Sequence, residues 1–77
     1  MNVKIYTTTT CPYCVMAKRF MNEHNVKYEE VNVQENRDAA DEMIQKSGQM
    51  GVPVIDINGT IIVGFDKKSL EKALKLK

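Results

Sequence analysis

The stretch VKIYTTTTCPYC, residues 3–14, decides the fold of this 77-residue chain. Apolar Val3 and Ile5 alternate with other side chains, which predicts a strand with one covered face. A threonine loop, residues 7–10, then leads to Pro12, and proline suits the first position of a helix because the missing N–H costs nothing there. The stretch therefore predicts a strand, a loop and a helix, with cysteines where the helix begins.

The rest of the chain completes the predicted element order β-α-β-α-β-β-α. A strand–helix–strand start of this length implies two parallel strands with a right-handed crossover. Asn58-Gly59 between two β-rich runs predicts a type I′ hairpin, because both central residues of that turn need positive φ. The other predicted elements are a strand over 28–33, a helix from the N-cap Asn36 to Gly48, strands over 53–57 and 60–63, and a helix capped by Asp66. We therefore expect an α/β fold with a four-stranded mixed sheet and three helices.

Apolar side chains at three- and four-residue spacing predict the inward faces of the helices. The predicted faces comprise Tyr13, Met16, Ala17, Phe20, Met21 and His24 on the first helix, Ala40, Met43, Ile44 and Ser47 on the second, and Leu70, Ala73 and Leu74 on the last. Met16, Met21 and Met43 are therefore expected in the core. Met50 is expected near a substrate groove.

The length and charge of the chain disfavour several classes of protein. Residues 1–77 suffice for one domain with a modest core, and 11 Lys and Arg nearly balance 10 Asp and Glu. This balance disfavours nucleic acid and anionic membranes as partners. The first residues do not resemble a signal peptide, and no apolar run approaches the ~20 residues that span a bilayer. We expect a monomer in the reducing cytoplasm, where a Cys-x-x-Cys pair is more often catalytic or metal-binding than structural.

The Cys11–Cys14 pair suits redox chemistry better than stabilisation. A disulfide here would close a loop too short to constrain the unfolded chain. Cys11 lies at the helix start, where unpaired backbone N–H groups lower the pKa of a thiol, and Lys18 and Arg19 should add a weaker, screened effect. Cys14, one turn further on, should be less exposed and less acidic. These positions predict that Cys11 attacks a disulfide and that Cys14 resolves the resulting mixed disulfide.

Two residue patterns have alternative interpretations. Half of a zinc site has the same cysteine spacing, but a structural zinc ion needs four Cys or His ligands. This chain has two Cys and one His, so we expect no metal.

Pro53 suits the start of a strand simply because its missing N–H is not needed there. In a redox fold of this layout it is usually cis, and we expect a cis Val52–Pro53 bond that turns the Val52 backbone outward beside Cys11, ready to pair with an extended substrate.

Several motifs, in this order and spacing, resemble the dithiol glutaredoxins and the small glutaredoxin-like proteins of bacteria. They are Cys11-Pro12-Tyr13-Cys14, Gly51-Val52-Pro53, Asn58-Gly59 and Gly64-Phe65-Asp66, and the match runs essentially end to end. Pro-Tyr between the cysteines is typical of glutaredoxins, whereas thioredoxins usually carry Gly-Pro. The resemblance implies a thioredoxin-like fold and thiol–disulfide exchange, with Cys11 as nucleophile, Cys14 as resolving thiol and Pro12 in a supporting role.

The resemblance also implies a groove for glutathione or a peptide. Family members hold the γ-glutamyl end with a Gly-x-Asp segment and pair the cysteinyl backbone with the residue before the cis-proline. The matching residues are Gly64, Phe65, Asp66, Val52 and Pro53, with Tyr13 lining the groove and Gln49 near the glycyl carboxylate. The pattern departs from the family where Thr8 replaces a common lysine, Gly51 a threonine, and Val63 the first of two glycines. Glutathione is thus implied as a co-substrate, with no bound cofactor.

The resemblance implies disulfide-containing or glutathionylated proteins as substrates and leaves several functions open. The first is a glutathione-dependent oxidoreductase that reduces protein disulfides and glutathione mixed disulfides. The second, which the departures suit, is an electron donor, for example to ribonucleotide reductase, that thioredoxin reductase recharges. The third is an iron–sulfur carrier in which two chains share a cluster through Cys11 and glutathione. Pro12 stiffens the loop and disfavours this last function.

Overall fold

The structure, a computed structural model, describes residues 2–49 and 51–75 and contains the elements in the predicted order. The strands are β1 (Val3–Thr7), β2 (Glu29–Asn32), β3 (Val54–Ile57) and β4 (Thr60–Val63), and the helices are α1 (Pro12–Glu23), α2 (Arg37–Ser47) and α3 (Lys67–Ala73). The α/β fold class is therefore confirmed. Met50, expected near the groove, lies outside the described residues. Within the described ranges, none of the helices has the length and apolar character needed to cross a membrane.

The strands form one mixed sheet in the order β2-β1-β3-β4. β1 runs parallel to β2, as predicted, and antiparallel to β3, where Tyr6 lies opposite Val54. β4 is antiparallel to β3. The C-terminal ends of β1 and β4 and the start of β3 therefore lie at one end of the sheet. We call this the site end, because the chain leaves β1 there towards Cys11, enters β3 there from Pro53 and leaves β4 there at Gly64.

Alternation along the strands divides the core between two faces of the sheet. α2 covers one face, where the buried cluster contains Tyr6, Met43 and Val54. α1 and α3 cover the other face, with a larger cluster of Val3, Ile5, Ala17, Phe20, Met21, Ile55, Ile57, Ile62, Leu70 and Leu74. Each fully buried aliphatic or aromatic side chain contributes roughly 1.5–3 kcal/mol. The α1/α3 face therefore supplies most of the hydrophobic stability, and α2 rests on a much smaller cluster.

The predicted inward face of α1 is wrong at its ends. The middle of that face is buried as expected, but Tyr13 is 61% exposed, Met16 is 42% exposed and His24 is exposed. Cys14 takes the inward position in the first turn. Helical periodicity predicts how wide the apolar face of a helix is. Which side chains on that face contact the sheet depends also on the orientation of the helix, which the preceding loop sets. The expectation that Met16 belongs to the core is therefore wrong.

The predicted caps and the hairpin turn are present, because each depends on local chemistry. The side chains of Asn36 and Asp66 accept hydrogen bonds from backbone N–H groups three residues further on and cap α2 and α3. Gly48 ends α2 in the left-handed conformation, with φ of 74°. In the β3–β4 hairpin, Asn58 and Gly59 have φ of 51° and 94°, the positive values that a type I′ turn requires.

β2 and β4 are the edge strands of the sheet, and each is four residues long. On β2 the first two side chains, Glu29 and Glu30, are exposed. On β4 the first and last, Thr60 and Val63, are exposed. Both edge strands are therefore short, which limits the number of outer backbone groups that another chain could pair with. On β2, two carboxylates also lie along this edge.

Candidate active site

Cys11 and Cys14 form a disulfide at the start of α1, with their Cα atoms 5.2 Å apart. Cys11 is the N-cap residue of α1, and its Sγ accepts a hydrogen bond from the backbone N–H of Cys14 at 3.2 Å. Pro12 is the first helical residue, as predicted. Cys11 is half-buried, whereas Cys14 is 1% exposed. The two sulfur atoms therefore differ in their access to a partner molecule.

The position of Cys11 favours its thiolate once the disulfide is reduced. Its sulfur faces a helix N-terminus, where a backbone N–H already donates to it and the helix dipole favours negative charge. The charge of Lys18 is compensated here, because its Nζ lies 2.8 Å from Glu30 Oε2. This hydrogen bond from Lys18 holds the pKa of Glu30 below its usual value. The start of the helix backbone therefore favours a thiolate at Cys11 in the reduced protein.

The Val52–Pro53 peptide bond is cis, as predicted. Pro53 is buried, and its carbonyl accepts a hydrogen bond from the backbone N–H of Gly64 at 2.7 Å. Val52 is half-buried and packs against the cluster on the α2 face. Because Cys11 follows β1 and Pro53 precedes β3, the antiparallel pairing of these strands brings the dithiol and the cis-proline to the same end of the sheet.

The Gly64–Asp66 segment connects β4 to α3 beside the cis-proline. Gly64 has φ of 80°, a conformation that strains residues with a side chain. Phe65 is half-buried and packs against the core of the α1/α3 face, with its ring edge-to-face on Phe20 at 6.1 Å between centroids. Asp66 is exposed, and hydrogen bonds from Ser69 hold the pKa of its carboxyl below the usual value. The segment therefore presents a carboxylate to the surface, whereas Phe65 packs mainly inward.

Comparison with known proteins decides the family. The family model for glutaredoxin matches residues 3–62. The chain is also 42% identical over 73 residues to an uncharacterized glutaredoxin-like 8.6 kDa protein in the rubredoxin operon of Clostridium pasteurianum, which covers 95% of this chain and 97% of that protein. The chain belongs to the glutaredoxin family.

Other relatives agree with this assignment. Glutaredoxin 3 of Escherichia coli K12 is 42% identical over 65 residues, covering 84% of this chain and 78% of that protein. The solved structure of the glutaredoxin-like protein NrdH-redoxin from Escherichia coli matches with a TM-score of 0.84 at 26% identity, covering 94% of this chain and 93% of that one. Membership of the glutaredoxin family identifies the Cys11–Cys14 pair as a redox-active disulfide and the protein as a thiol–disulfide oxidoreductase.

Tyr13 and Gln49, two further predicted groove residues of this glutaredoxin, differ in the freedom of their side chains. Tyr13 is largely exposed in the first turn of α1, so its ring is open to a substrate. The Gln49 amide donates to the Gly51 carbonyl at 3.4 Å. The backbone N–H and C=O of Gln49 both lie within hydrogen-bonding distance of the Ser47 hydroxyl. Gln49 therefore helps to shape the segment that precedes the cis-proline.

Sequence reasoning missed a polar group of residues on the α2 face. The hydroxyl of the buried Tyr6 donates to Glu42 and accepts a hydrogen bond from Lys46 Nζ at 3.1 Å. Lys46 Nζ also lies 2.8 Å from Asp56 Oδ2 and 3.2 Å from Glu42 Oε1. We call these four residues the Lys46 cluster. The i,i+4 spacing of Glu42 and Lys46 and the single carboxylate within the apolar β3 were the available sequence signals.

The Lys46 cluster shifts the acidity of its members strongly. Hydrogen bonds, with that from Tyr6 the most effective, lower the pKa of Glu42 to about 2. The Asp56 carboxylate is the main group that raises the pKa of Lys46. Burial raises the pKa of the Tyr6 hydroxyl, and its hydrogen bond to Glu42 adds to that effect. All four groups therefore keep their usual charge states at neutral pH.

Proposed function

We propose that this glutaredoxin reduces protein disulfides and glutathione mixed disulfides, with Cys11 attacking and Cys14 resolving. The observation that carries the proposal is the asymmetry of the disulfide. Cys11 is the half-buried N-cap whose sulfur accepts a backbone hydrogen bond, and Cys14 is 1% exposed. An attacking sulfur needs both access and a stabilised thiolate, so this order of roles is favoured over the reverse.

The dithiol route transfers two electrons to a client disulfide. The Cys11 thiolate attacks one client sulfur, the client S–S bond breaks, and the other client sulfur leaves as a thiolate that takes up a proton. The Cys14 thiolate then attacks Cys11 Sγ, which releases the second client thiolate. The client is reduced, and the oxidoreductase ends with the Cys11–Cys14 disulfide that this structure contains.

The glutathione route needs only Cys11 for its chemistry. The Cys11 thiolate attacks the glutathionyl sulfur of a glutathionylated protein and releases the protein thiol. A second glutathione thiolate then attacks the mixed disulfide, so that Cys11 is regenerated and oxidised glutathione leaves. The exposed Asp66 carboxylate supports this route because it can pair with the γ-glutamyl amine. The cis Val52–Pro53 bond supports it because an extended cysteinyl backbone can pair with Val52 in strand-like fashion.

A second candidate function is that of an electron donor recharged by thioredoxin reductase. Thr8 stands where glutaredoxins commonly have a lysine for the glycyl carboxylate of glutathione. The amide of Gln49, expected near the same carboxylate, is bonded to the Gly51 carbonyl instead. The structural neighbour NrdH-redoxin is described as a glutaredoxin-like protein with a thioredoxin-like activity profile. These observations favour a reductant other than glutathione.

Two coupled assays separate the candidates. NADPH oxidation is followed with a disulfide-containing protein as client, first with glutathione and glutathione reductase, then with thioredoxin reductase alone. Turnover in the first assay supports the glutathione route. Turnover in the second assay only would overturn that route and support the second candidate. No turnover in either assay would overturn both functions.

Cysteine variants test the assigned roles within the same assays. Cys11→Ser should abolish reduction of protein disulfides and of glutathione mixed disulfides, since it removes the attacking sulfur. Cys14→Ser should lose the protein-disulfide activity and retain release of glutathione from a glutathionylated protein. Full activity of Cys11→Ser would refute the assignment of Cys11 as the attacking residue.

A lysine variant tests the role of Thr8 in the choice of reductant. Thr8→Lys restores a single exposed charge contact worth ~1 kcal/mol or less, so the glutathione-coupled rate should rise by up to about fivefold. Thr9→Lys adds the same charge to the neighbouring exposed position and serves as the control. Equal rates for the two variants would show that Thr8 does not decide the reductant.

A further inference from the structure

We propose that Lys46 is a positioning residue for the redox site, because it ties the end of α2 to β1 and β3. Residues 47–49 and 51–53, which we call the substrate segment, follow Lys46 and lead to the cis Val52–Pro53 bond. The inference rests on the proposed function in one respect, namely that this segment receives the substrate. Lys46 touches neither cysteine in the contacts described above and would act through the backbone that follows it. Its effect should therefore appear in substrate binding and not in the reactivity of Cys11.

The ammonium group of Lys46 is fully engaged. A lysine ammonium has three N–H donors, and Lys46 Nζ has one acceptor on each of three elements: Tyr6 on β1 at 3.1 Å, Asp56 on β3 at 2.8 Å and Glu42 on α2 at 3.2 Å. Lys4 Nζ lies 3.0 Å from Glu42 Oε1, so two cations face two carboxylates and the charges balance. Lys46 therefore links α2 to both central strands, β1 and β3, and its charge is balanced by the neighbouring carboxylates. We call this link the bridge.

Lys46 lies immediately before the substrate segment. It occupies the last turn of α2, and Ser47, the last helical residue, has its hydroxyl 2.7 Å from the Met43 carbonyl and bonded to Gln49. At the far end of the segment, Val54 is paired in the sheet with Tyr6, one of the acceptors of Lys46. The bridge therefore connects the end of α2, just before the substrate segment, to β1 and to β3, the strand that follows the segment.

Among the described residues, this part of the molecule has few apolar contacts, and the hydrogen bonds of Ser47 and Gln49 are local. Ala39 and Met43 are the buried residues of α2, and Met43 belongs to the smaller of the two core clusters, against which Ile44 and Val52 also pack. The segment contains Gly48 and Gly51, which restrict the backbone less than other residues do. The side chain of Lys46 is 34% exposed, and ion pairs with such exposure contribute little to global stability. We therefore expect the bridge to fix the position of the segment more than it raises the free energy of unfolding.

Matched lysine variants test the proposal in the full-length oxidoreductase. Lys46→Met removes the ammonium and keeps the length of the side chain, and Lys46→Arg restores a cation. Lys4→Met is the control, because Lys4 pairs with the same Glu42 oxygen and is similarly exposed but does not precede the segment. The measurements are kcat and KM for a peptide disulfide in whichever coupled assay supports turnover, the rate of Cys11 alkylation by iodoacetamide, and hydrogen exchange at the Gly64 amide, which reports the bond to the Pro53 carbonyl.

Lys46→Met should raise KM about fivefold, which corresponds to a loss of ~1 kcal/mol in the free energy of substrate binding. It should also speed exchange at the Gly64 amide, while Cys11 alkylation stays within about twofold of wild type because the helix start is untouched. Lys46→Arg should recover most of the KM, and Lys4→Met should change neither KM nor exchange. Unchanged KM and exchange in Lys46→Met, or the same changes in Lys4→Met, would overturn the proposal.

Failure of the proposed function and failure of the role of Lys46 give different results. Wild-type protein without turnover would count against the proposed function, and the exchange measurement would still test the bridge. If Lys46→Met does not fold, Asp56→Asn, which weakens the shortest contact of the ammonium, replaces it in the same measurements. Normal exchange at the Gly64 amide in Asp56→Asn would then refute the role of the bridge.

Discussion

Replacing Tyr6 by phenylalanine should destabilise the oxidised protein by about 1.5 kcal/mol at neutral pH. The ring of Tyr6 is 0% exposed, and its hydroxyl is bonded to a carboxylate and an ammonium group. Hydrogen bonds to charged groups contribute roughly 1.5–3 kcal/mol. The lower end applies here, because the side chains of Glu42 and Lys46 are 42% and 34% exposed and keep their mutual contact at 3.2 Å without the hydroxyl. For a domain of this size the loss corresponds to a fall in Tm of about 6–12 °C.

The destabilisation should shrink in acid. The hydrogen bond from Tyr6 is the largest effect that lowers the pKa of Glu42 to about 2, below its ordinary value of 4.5. A group whose pKa is lower in the folded state stabilises that state above its unfolded pKa, and this contribution is lost as the pH falls towards the folded pKa. The window is therefore from pH 4.5 down to about 2. Wild-type protein should lose more stability across this window than Tyr6→Phe does.

Urea unfolding followed by far-ultraviolet circular dichroism at neutral pH and near the acid end of that window measures both effects, since the chain has no tryptophan. The protein is kept oxidised throughout, so that the disulfide is the same in every sample. Tyr28→Phe is the control, because this half-buried ring packs on the α1/α3 face, and it should stay within about 0.5 kcal/mol of wild type. A Tyr6→Phe variant as stable as wild type at neutral pH, or equally destabilised at both pH values, would refute the reasoning.

Three further substitutions test the local structure around α2. Asn36→Ala removes the side-chain oxygen that accepts the Ala39 N–H at 3.1 Å, and urea denaturation should show a loss of ~1 kcal/mol. Met43→Ala removes a side chain that is 1% exposed, and the same method should show a loss of about 2–5 kcal/mol in the free energy of unfolding. A loss below about 1 kcal/mol would contradict this expectation. In Gly48→Ala the new Cβ meets no described atom within 4 Å apart from its chain neighbours, so a loss, expected at ~1 kcal/mol in thermal unfolding, would come from the positive φ and not from a steric clash.

Features fixed by neighbouring residues could be predicted from the sequence. Pro12 at the start of α1, Gly48 at the end of α2, and the Asn58-Gly59 turn depend on backbone conformations that only a few residue types favour. The parallel β1–β2 pair and the antiparallel β3–β4 pair followed from the same elements, because a strand–helix–strand unit gives parallel neighbours and a tight turn gives antiparallel ones. The antiparallel pairing of β1 with β3, which joins the two pairs into one sheet, was not predicted. The cis-proline was expected beside the dithiol from the layout of redox folds, and the β1–β3 pairing brings the two to one end of the sheet.

Features that depend on contacts between distant residues could not be predicted in the same way. Tyr6 lies in the stretch that predicts the first strand, but nothing near it indicates its partners Glu42 and Lys46, which are 36 and 40 positions away. Likewise the compensation of Lys18 by Glu30 depends on how closely α1 approaches β2. A single sequence indicates which side chains carry charge, but it does not indicate which pairs the packing of helices on the sheet will bring together.

The two short edge strands have a consequence for how clients approach. A protein that pairs its backbone with extended clients risks joining them, or further copies of itself, into a continuous sheet. β2 and β4 are only four residues long, and Glu29 and Glu30 place carboxylates along one of these borders. Ladder formation along the borders is thereby discouraged. Under the proposed function, an extended substrate would instead pair with the backbone of Val52, a single residue beside the cis bond, so that the contact stays short and reversible.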